Sequence, residues 1–471
     1  MKKSCLSNNS GSHTGLSENF DLEITDVTKK GLGLGRFNNR VVFCNNALPG
    51  DLVNVKVTGS KGSVITAEPI KFIKKSGQRA DNVCLNKLAC QACTLINLKY
   101  ENQLFYKKKH FTDSLKRIGK IDSPENIPIT LVPADQAHFN RNKAVFHFQK
   151  SDKIFQAGYY VPDSKKLVPI DNCILLTPSV NSALTSFINK LNDCTNNSLS
   201  DSGLDIIHKI LVKYSNFTNQ ILFCLILKKN QACPKILKNI LIDLVDNKII
   251  HSAWVKETKK NKKTDFNIAG EKHLIESIRG KKFSINVNGF FQVNSFQTEN
   301  LVAQAEMLIK KYSSENNILL DLYSGSGLFG ISLSELFNKI IAVESEKASI
   351  TAGLFNVNLN DLNNVSFIHS KSSDFLNSKD TLLKNELINS KGLTVLIDPP
   401  RTGCCSKTMD LIKSLNPDLI IYISCDPPTF ARDLSNFSKQ GYLLKESVLI
   451  DMFLHTMHME SCSVLKKSGS E

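Results

Sequence analysis

From Asn317 to the C-terminus, strand-length apolar runs alternate with helical stretches, and that rhythm constrains the fold more than any other feature. Ile318-Leu319-Leu320-Asp321-Leu322-Tyr323 leads through a glycine loop into a helix, and Lys339-Ile340-Ile341-Ala342-Val343-Glu344 follows. Further strands start near Val365, Leu393 and Leu419, and two more near Tyr442 and Cys462. Repeated β–α units specify a doubly wound, Rossmann-like parallel sheet. The sequence shows no internal repeat.

The loops between these units carry chemistry. In Asp321-Leu322-Tyr323-Ser324-Gly325-Ser326-Gly327 the glycines let the backbone approach a ligand, and Glu344 ends the next strand, where an acid binds ribose hydroxyls. The loop lacks the third glycine of the pyrophosphate fingerprint, Glu344 fits two ribose hydroxyls, and Asp398-Pro399-Pro400 ends the fourth strand in a way that resembles methyltransferases; the three shift the reading from a dinucleotide towards S-adenosylmethionine. The strand Ile420-Ile421-Tyr422-Ile423-Ser424 delivers Cys425 into the turn Asp426-Pro427-Pro428. Downstream, Asp451-Met452-Phe453-Leu454-His455-Thr456-Met457-His458-Met459-Glu460 returns a carboxylate. A strand-end thiol with a separate carboxylate suits covalent catalysis, a nucleophile plus a proton acceptor.

The order and spacing of the segments around Asp398, Cys425 and Glu460 resemble the RNA 5-methyluridine methyltransferases. The resemblance implies a Cys425 nucleophile that attacks C6 of uracil, and a Glu460 base that removes the C5 proton after methyl transfer. It also implies cofactor contacts from Gln292, in Gly289-Phe290-Phe291-Gln292-Val293-Asn294, and from Tyr323, Glu344 and Asp398. Phe290 would line the path of an extruded base. Arg141, in Phe139-Asn140-Arg141-Asn142-Lys143, would lie near RNA. Asp426 stands where the family usually has Asn, Leu454 where it usually has Pro, and Leu328 where it often has Asn. A further cofactor contact belongs near Lys371 or Asp374.

N-terminal to this domain, short β-rich runs with glycine turns from about Phe20 to Ser76 argue for a small barrel and resemble the OB-like TRAM domain. Cys84, Cys90 and Cys93 form a tight trio, with Cys173 a distant fourth. Spacing leaves zinc and an iron–sulfur cluster both open. The family resemblance implies a 4Fe–4S cluster. The expected organisation is therefore multidomain: a tail over 1–18, a TRAM RNA-binding β-barrel over 19–76, an α+β central domain with the cluster and a basic helix over 77–289, and an α/β methyltransferase domain over 290–471.

The 471 residues carry 59 Lys plus Arg against 44 Asp plus Glu, a net charge of +15 that gathers phosphate polyanions. Thirteen cysteines without an apolar signal core indicate a reducing cytoplasm. The longest aliphatic runs are too short to cross a bilayer. A barrel together with four cysteines resembles the branch that methylates 23S rRNA, so 23S rRNA is the expected partner of a monomeric, cytoplasmic enzyme. A tRNA enzyme, a dual-site rRNA enzyme and a catalytically silent cluster-containing RNA-binding protein are the alternatives.

Overall fold

The computed structural model describes residues 19–81, 84, 86, 90–151, 154–161, 164–196, 204–313, 315, 317–378 and 381–468. The expected tail, Met1 to Glu18, lies outside them. The chain divides into two compact units, one formed by the N-terminal residues to 82 with 94–103, the other by 83–93 with 104–471.

In the first unit the strands Asn19–Val27, Gly33–Phe37, Arg40–Cys44, Val64–Lys74 and Leu52–Lys61 close, in that order, into a barrel. Alternate residues point inward, and Leu22, Ile24, Val42, Val53, Val55 and Ile65 fill the interior. Asp51, fully buried, staples one end by accepting from Leu48 N and Ser76 N at 2.7 Å and from the Arg79 guanidinium.

The second unit contains two large sheets. A seven-stranded sheet runs in the order Lys262–Gly270, Ser252–Lys259, Ile221–Leu227, Ile207–Tyr214, Lys143–Ser151, Ile154–Tyr160, Leu167–Pro169. The helices Pro178–Asn196 and Lys235–Asp246 pack on one face of it. The lysine-rich stretch around Lys260, which reads from sequence as a loop, is instead a hairpin. Lys260 and Asn261 both have positive φ, which lets two residues reverse the chain.

The second sheet has eight strands in the order Val365–His369, Lys339–Glu344, Ile318–Leu322, Leu393–Ile397, Leu419–Ser424, Glu460–Lys467, Tyr442–Ile450, Ile129–Val132. The first five are parallel, as the β–α rhythm requires, and Glu460–Lys467 then runs antiparallel. Strand order reverses between Ile318–Leu322 and Leu393–Ile397, so a crevice opens there at the carboxyl ends of the strands. The far edge is closed by Ile129–Val132, parallel to Tyr442–Ile450 and drawn from the stretch that sequence assigns to the central region. The helix Tyr100–Arg117 contributes Phe111, stacked on Phe430 at 5.7 Å, so this part of the chain packs with the C-terminal sheet.

Candidate active site

Register brings the thiol and the carboxylate together. Leu419–Ser424 pairs with Glu460–Lys467 as far as Ser424 opposite Ser461, and at this end of the ladder the next residue, Cys425, lies within electrostatic reach of Glu460. Ser461 Oγ donates to Ser424 O at 3.3 Å and ties this end of the ladder. Immediately after Cys425, Asp426 caps the helix Pro427–Lys439 by accepting from Thr429 N at 3.3 Å. Asp and Asn cap helices about equally well, which accounts for the acid at a position where an amide is usual.

The electrostatics couple four groups. Burial pushes Cys425 up to about 11, and Glu460 and Asp398 push the same way, while Arg401 opposes them. Glu460, 4% exposed, is raised well above the usual carboxylate range by burial and by Asp398, again against Arg401. Burial lifts Asp398 to about 7. Arg401, which sequence reasoning did not single out, is exposed and is the cation of this cluster.

The segment returning Glu460 is braced by groups distant in sequence. Lys107, fully buried, ion-pairs with Asp451 and donates to Phe453 O at 3.1 Å; Gln297 Nε2 donates to Asp451 O at 3.1 Å. Burial pulls Lys107 below the usual lysine range even with Asp451 beside it. From sequence Lys107 reads as one charge of a solvated basic helix. Its burial could not be read locally, because its acid lies in the C-terminal region. Leu454, at 1% exposed, is core, and His455 Nε2 is 3.0 Å from Ala137 O.

On the crevice side, Tyr323 adopts a left-handed turn (φ 62°), an uncommon backbone for a non-glycine residue, and its hydroxyl lies 3.8 Å from Cys404 Sγ. Gly325 has φ 57° and would carry a Cβ into open space, whereas a Cβ on Gly327 would meet Phe367 at 2.7 Å. Glu344 is held by backbone N–H groups of Gly325, Ser345 and Glu346 at 3.0, 2.6 and 2.7 Å, and a carboxylate so held keeps lone pairs for hydroxyl donors. The buried Ser324 Oγ and Asp321 Oδ1 have no partner among the described residues. Asp321, at the floor of the loop, accepts from Gly330 N at 3.0 Å, and burial followed by Asp398 and Glu344 lifts it to about 8. An open glycine backbone, orphaned polar atoms and a concentration of carboxylates fit a polar cofactor bearing a positive charge.

Gln292 is buried, and its carbonyl accepts from Asn142 Nδ2 at 2.9 Å. Asn294 caps the helix Ser295–Tyr312. Phe290 is 63% exposed. Leu328 opens the short helix Leu328–Ser332, and Lys371 precedes the helix Ser372–Leu376, which contains Asp374. Their positions alone do not tie any of these three to the cofactor crevice.

Apart from this crevice, Cys84, Cys90, Cys93 and Cys173 line one cavity of about 350 Å³ with Arg141, Lys143, Val293 and Thr456. Among the described residues no three Cys, His, Asp or Glu side chains close into a single-ion site. Burial pushes Cys93 up to about 12, and the neighbouring Cys173, Cys90 and Cys84 thiols add to the shift while Arg141 opposes it. Four thiols around one shared space are donors of the kind that soft metals take. Arg141 stands 5.8 Å over the Phe453 ring, at this cavity rather than on an open basic surface.

The class, an S-adenosylmethionine-dependent RNA methyltransferase, follows from the relatives of this α/β chain. Residues 99–468 match the tRNA (Uracil-5-)-methyltransferase family and residues 18–70 match the TRAM domain. The chain belongs to that family and is an RNA uracil-5 methyltransferase. It is 29% identical to an uncharacterized RNA methyltransferase of Clostridium acetobutylicum, over 96% of this chain and 97% of that one. It is 28% identical to another from Caldanaerobacter subterraneus, over 96% and 99%. Its fold matches the Pyrococcus abyssi tRNA (uracil-54, C5)-methyltransferase in complex with S-adenosyl-L-homocysteine, with a TM-score of 0.71 and 22% identity over 95% of this chain and all of that one. No helix among the described residues is long and apolar enough to cross a membrane.

Proposed function

We propose that this chain methylates C5 of a specific uridine in 23S rRNA through a covalent adduct between Cys425 and uracil C6. The observation that carries the reading is the end of the ladder at Ser424 and Ser461, where Cys425 and Glu460 come within electrostatic reach of each other. Uracil C5 is a poor nucleophile. Attack of the Cys425 thiolate at C6 moves electron density to C5, which then accepts a methyl group. When bound, S-adenosylmethionine supplies that methyl on a positively charged sulfur, and Gln292, Tyr323, Glu344 and Asp398 would hold it. Glu460 then takes the C5 proton, the C5–C6 double bond re-forms, and Cys425 leaves as thiolate. Because the resting thiol is pushed up to about 11, it must lose its proton as substrate binds, and Arg401 is the group that favours the anion.

The cavity-lining cysteines Cys84, Cys90, Cys93 and Cys173 would hold a 4Fe–4S cluster, which takes no part in methyl transfer and ties a loop-rich region together. The choice of 23S rRNA is supported by the coexistence of a TRAM barrel and four cysteines in one chain, a pairing that resembles the rRNA branch. The Pyrococcus abyssi protein of similar fold is a tRNA (uracil-54, C5)-methyltransferase, and this favours the second reading, a tRNA enzyme. The protein would act as a cytoplasmic monomer. Mass spectrometry of 23S rRNA and tRNA from cells lacking the gene tests the assignment. Loss of one 5-methyluridine from 23S rRNA is expected, whereas loss from tRNA alone would transfer the activity to the second reading.

A further inference from the structure

Three lysines of the seven-stranded sheet share a face. Side chains alternate along a strand, so Ala144, Phe146, Val212, Phe223 and Val255 build the core beneath the helices, and Lys143, Lys213 and Lys256 fall on the opposite side. Lys143 and Lys213 are directly paired across neighbouring antiparallel strands. Lys213, 3% exposed, donates at 2.7 Å to both Asn286 O and Gly289 O, and so pins the segment that presents Phe290. Burial, then repulsion from Lys143 and Lys256, pushes Lys213 down to about 7. Lys256 donates to Asn288 Oδ1 and lies 3.9 Å from Asp265. Neither Lys143 nor Lys213 has a carboxylate partner among the described residues. The fold thus gathers two lysine ammonium groups and the buried Lys213 amine at the backbone segment that leads into the exposed Phe290, and Asp265 is the one acid paired with any of the three among the described residues.

We infer that Lys143 and Lys256 bind a backbone phosphate of the RNA next to Phe290, while Lys213 positions the segment carrying that ring. The inference rests on RNA being the substrate. A phosphate supplies the missing negative charge through charge-assisted hydrogen bonds, and such contacts fix register without reading sequence. An adjacent exposed ring adds a stacking platform for an unpaired base. Lys143 also lines the cysteine cavity, but the cation that acts on Cys93 is Arg141, and the charge that acts on Lys143 is Lys256. The two cations, separated by a single residue, therefore serve different sites.

The test uses the full chain, a fluorescein-labelled oligouridylate and fluorescence anisotropy from low to physiological salt. Lys143→Gln and Lys256→Gln should each flatten the slope of log affinity against log salt, and the double variant should flatten it by about 0.7, the value for one phosphate contact on a single strand. Thermal unfolding and S-adenosylmethionine binding should stay at wild-type values, which excludes a folding defect. Wild-type slopes in both variants, with the wild-type enzyme methylating RNA, would overturn the lysine site and leave the proposed reaction standing. A wild-type chain that neither binds nor methylates RNA would remove both.

Discussion

The crevice of the eight-stranded sheet and the cysteine cavity are built in opposite ways. In the eight-stranded sheet Cys425 follows directly on a strand whose neighbour is fixed by a ladder, so strand pairing brings Cys425 near Glu460. In the cavity three of the four thiols come from the short stretch Cys84 to Cys93, and Val293 and Thr456 share its lining. A site made by register is assembled before its ligand arrives. A site made by loops depends on its occupant to hold it together, as structural metal sites do. Changes at the first should therefore alter chemistry with little effect on folding, and changes at the second should do the reverse.

The largest expected effect follows from Cys425→Ala, which should abolish turnover and keep S-adenosylmethionine affinity near wild type. Residual activity within roughly tenfold would remove the thiol as nucleophile, since losing a covalent route costs far more. Glu460→Gln should permit addition and methylation but leave the methylated RNA attached to the protein, visible on denaturing gels. Clean release would shift the base to another group, His458 first. On the other side of the comparison, Cys173→Ser should cost the anaerobically purified protein its brown colour, iron and acid-labile sulfide, together with solubility. Stoichiometric zinc without iron in the wild type would sink the cluster.

A smaller effect concerns pH. With the Cys425 thiol pushed up to about 11, the thiolate fraction grows about tenfold per pH unit, so kcat/KM should climb from neutral to mildly alkaline pH. Arg401→Ala should lower the rate at neutral pH by several-fold, and the deficit should shrink as pH rises. The smallest effect is on stability. Asp321 has its pKa raised from 3.8 to about 8, so between those values the native state holds a proton that the unfolded chain has lost. Its contribution is complete below about pH 4 and disappears as pH rises through 8. Asp321→Asn should flatten that decline in thermal unfolding scans without S-adenosylmethionine.

The two regions were also unequally legible in sequence. Cys425 and Asp398 each follow an apolar strand and Glu344 ends one, so local pattern singles them out, whereas Glu460 opens its strand and is singled out by family resemblance alone. The barrel was legible for the same reason, its strands alternating between glycine turns. What sequence did not give is what long-range pairing creates. Lys107 looks like a solvated charge until Asp451 is brought beside it. Arg141's place over Phe453 and at the thiol cavity likewise depends on residues distant in sequence. The lysine hairpin at Lys260 was hidden because its strands carry cations on the exposed side, and only the two-residue turn marks it.

The edge strand Ile129–Val132 has a consequence for how the protein is made. Its partner, Ser447–Ile450, leaves the ribosome some three hundred residues later. At about 5–20 residues per second, the early strand waits roughly 15–60 s with its pairing groups unfilled. Throughout that interval Lys107 also lacks Asp451. The catalytic sheet is therefore the last part of the chain to close, and a nascent chain stalled before Tyr442 would present an open edge to chaperones, proteases or a second copy of itself.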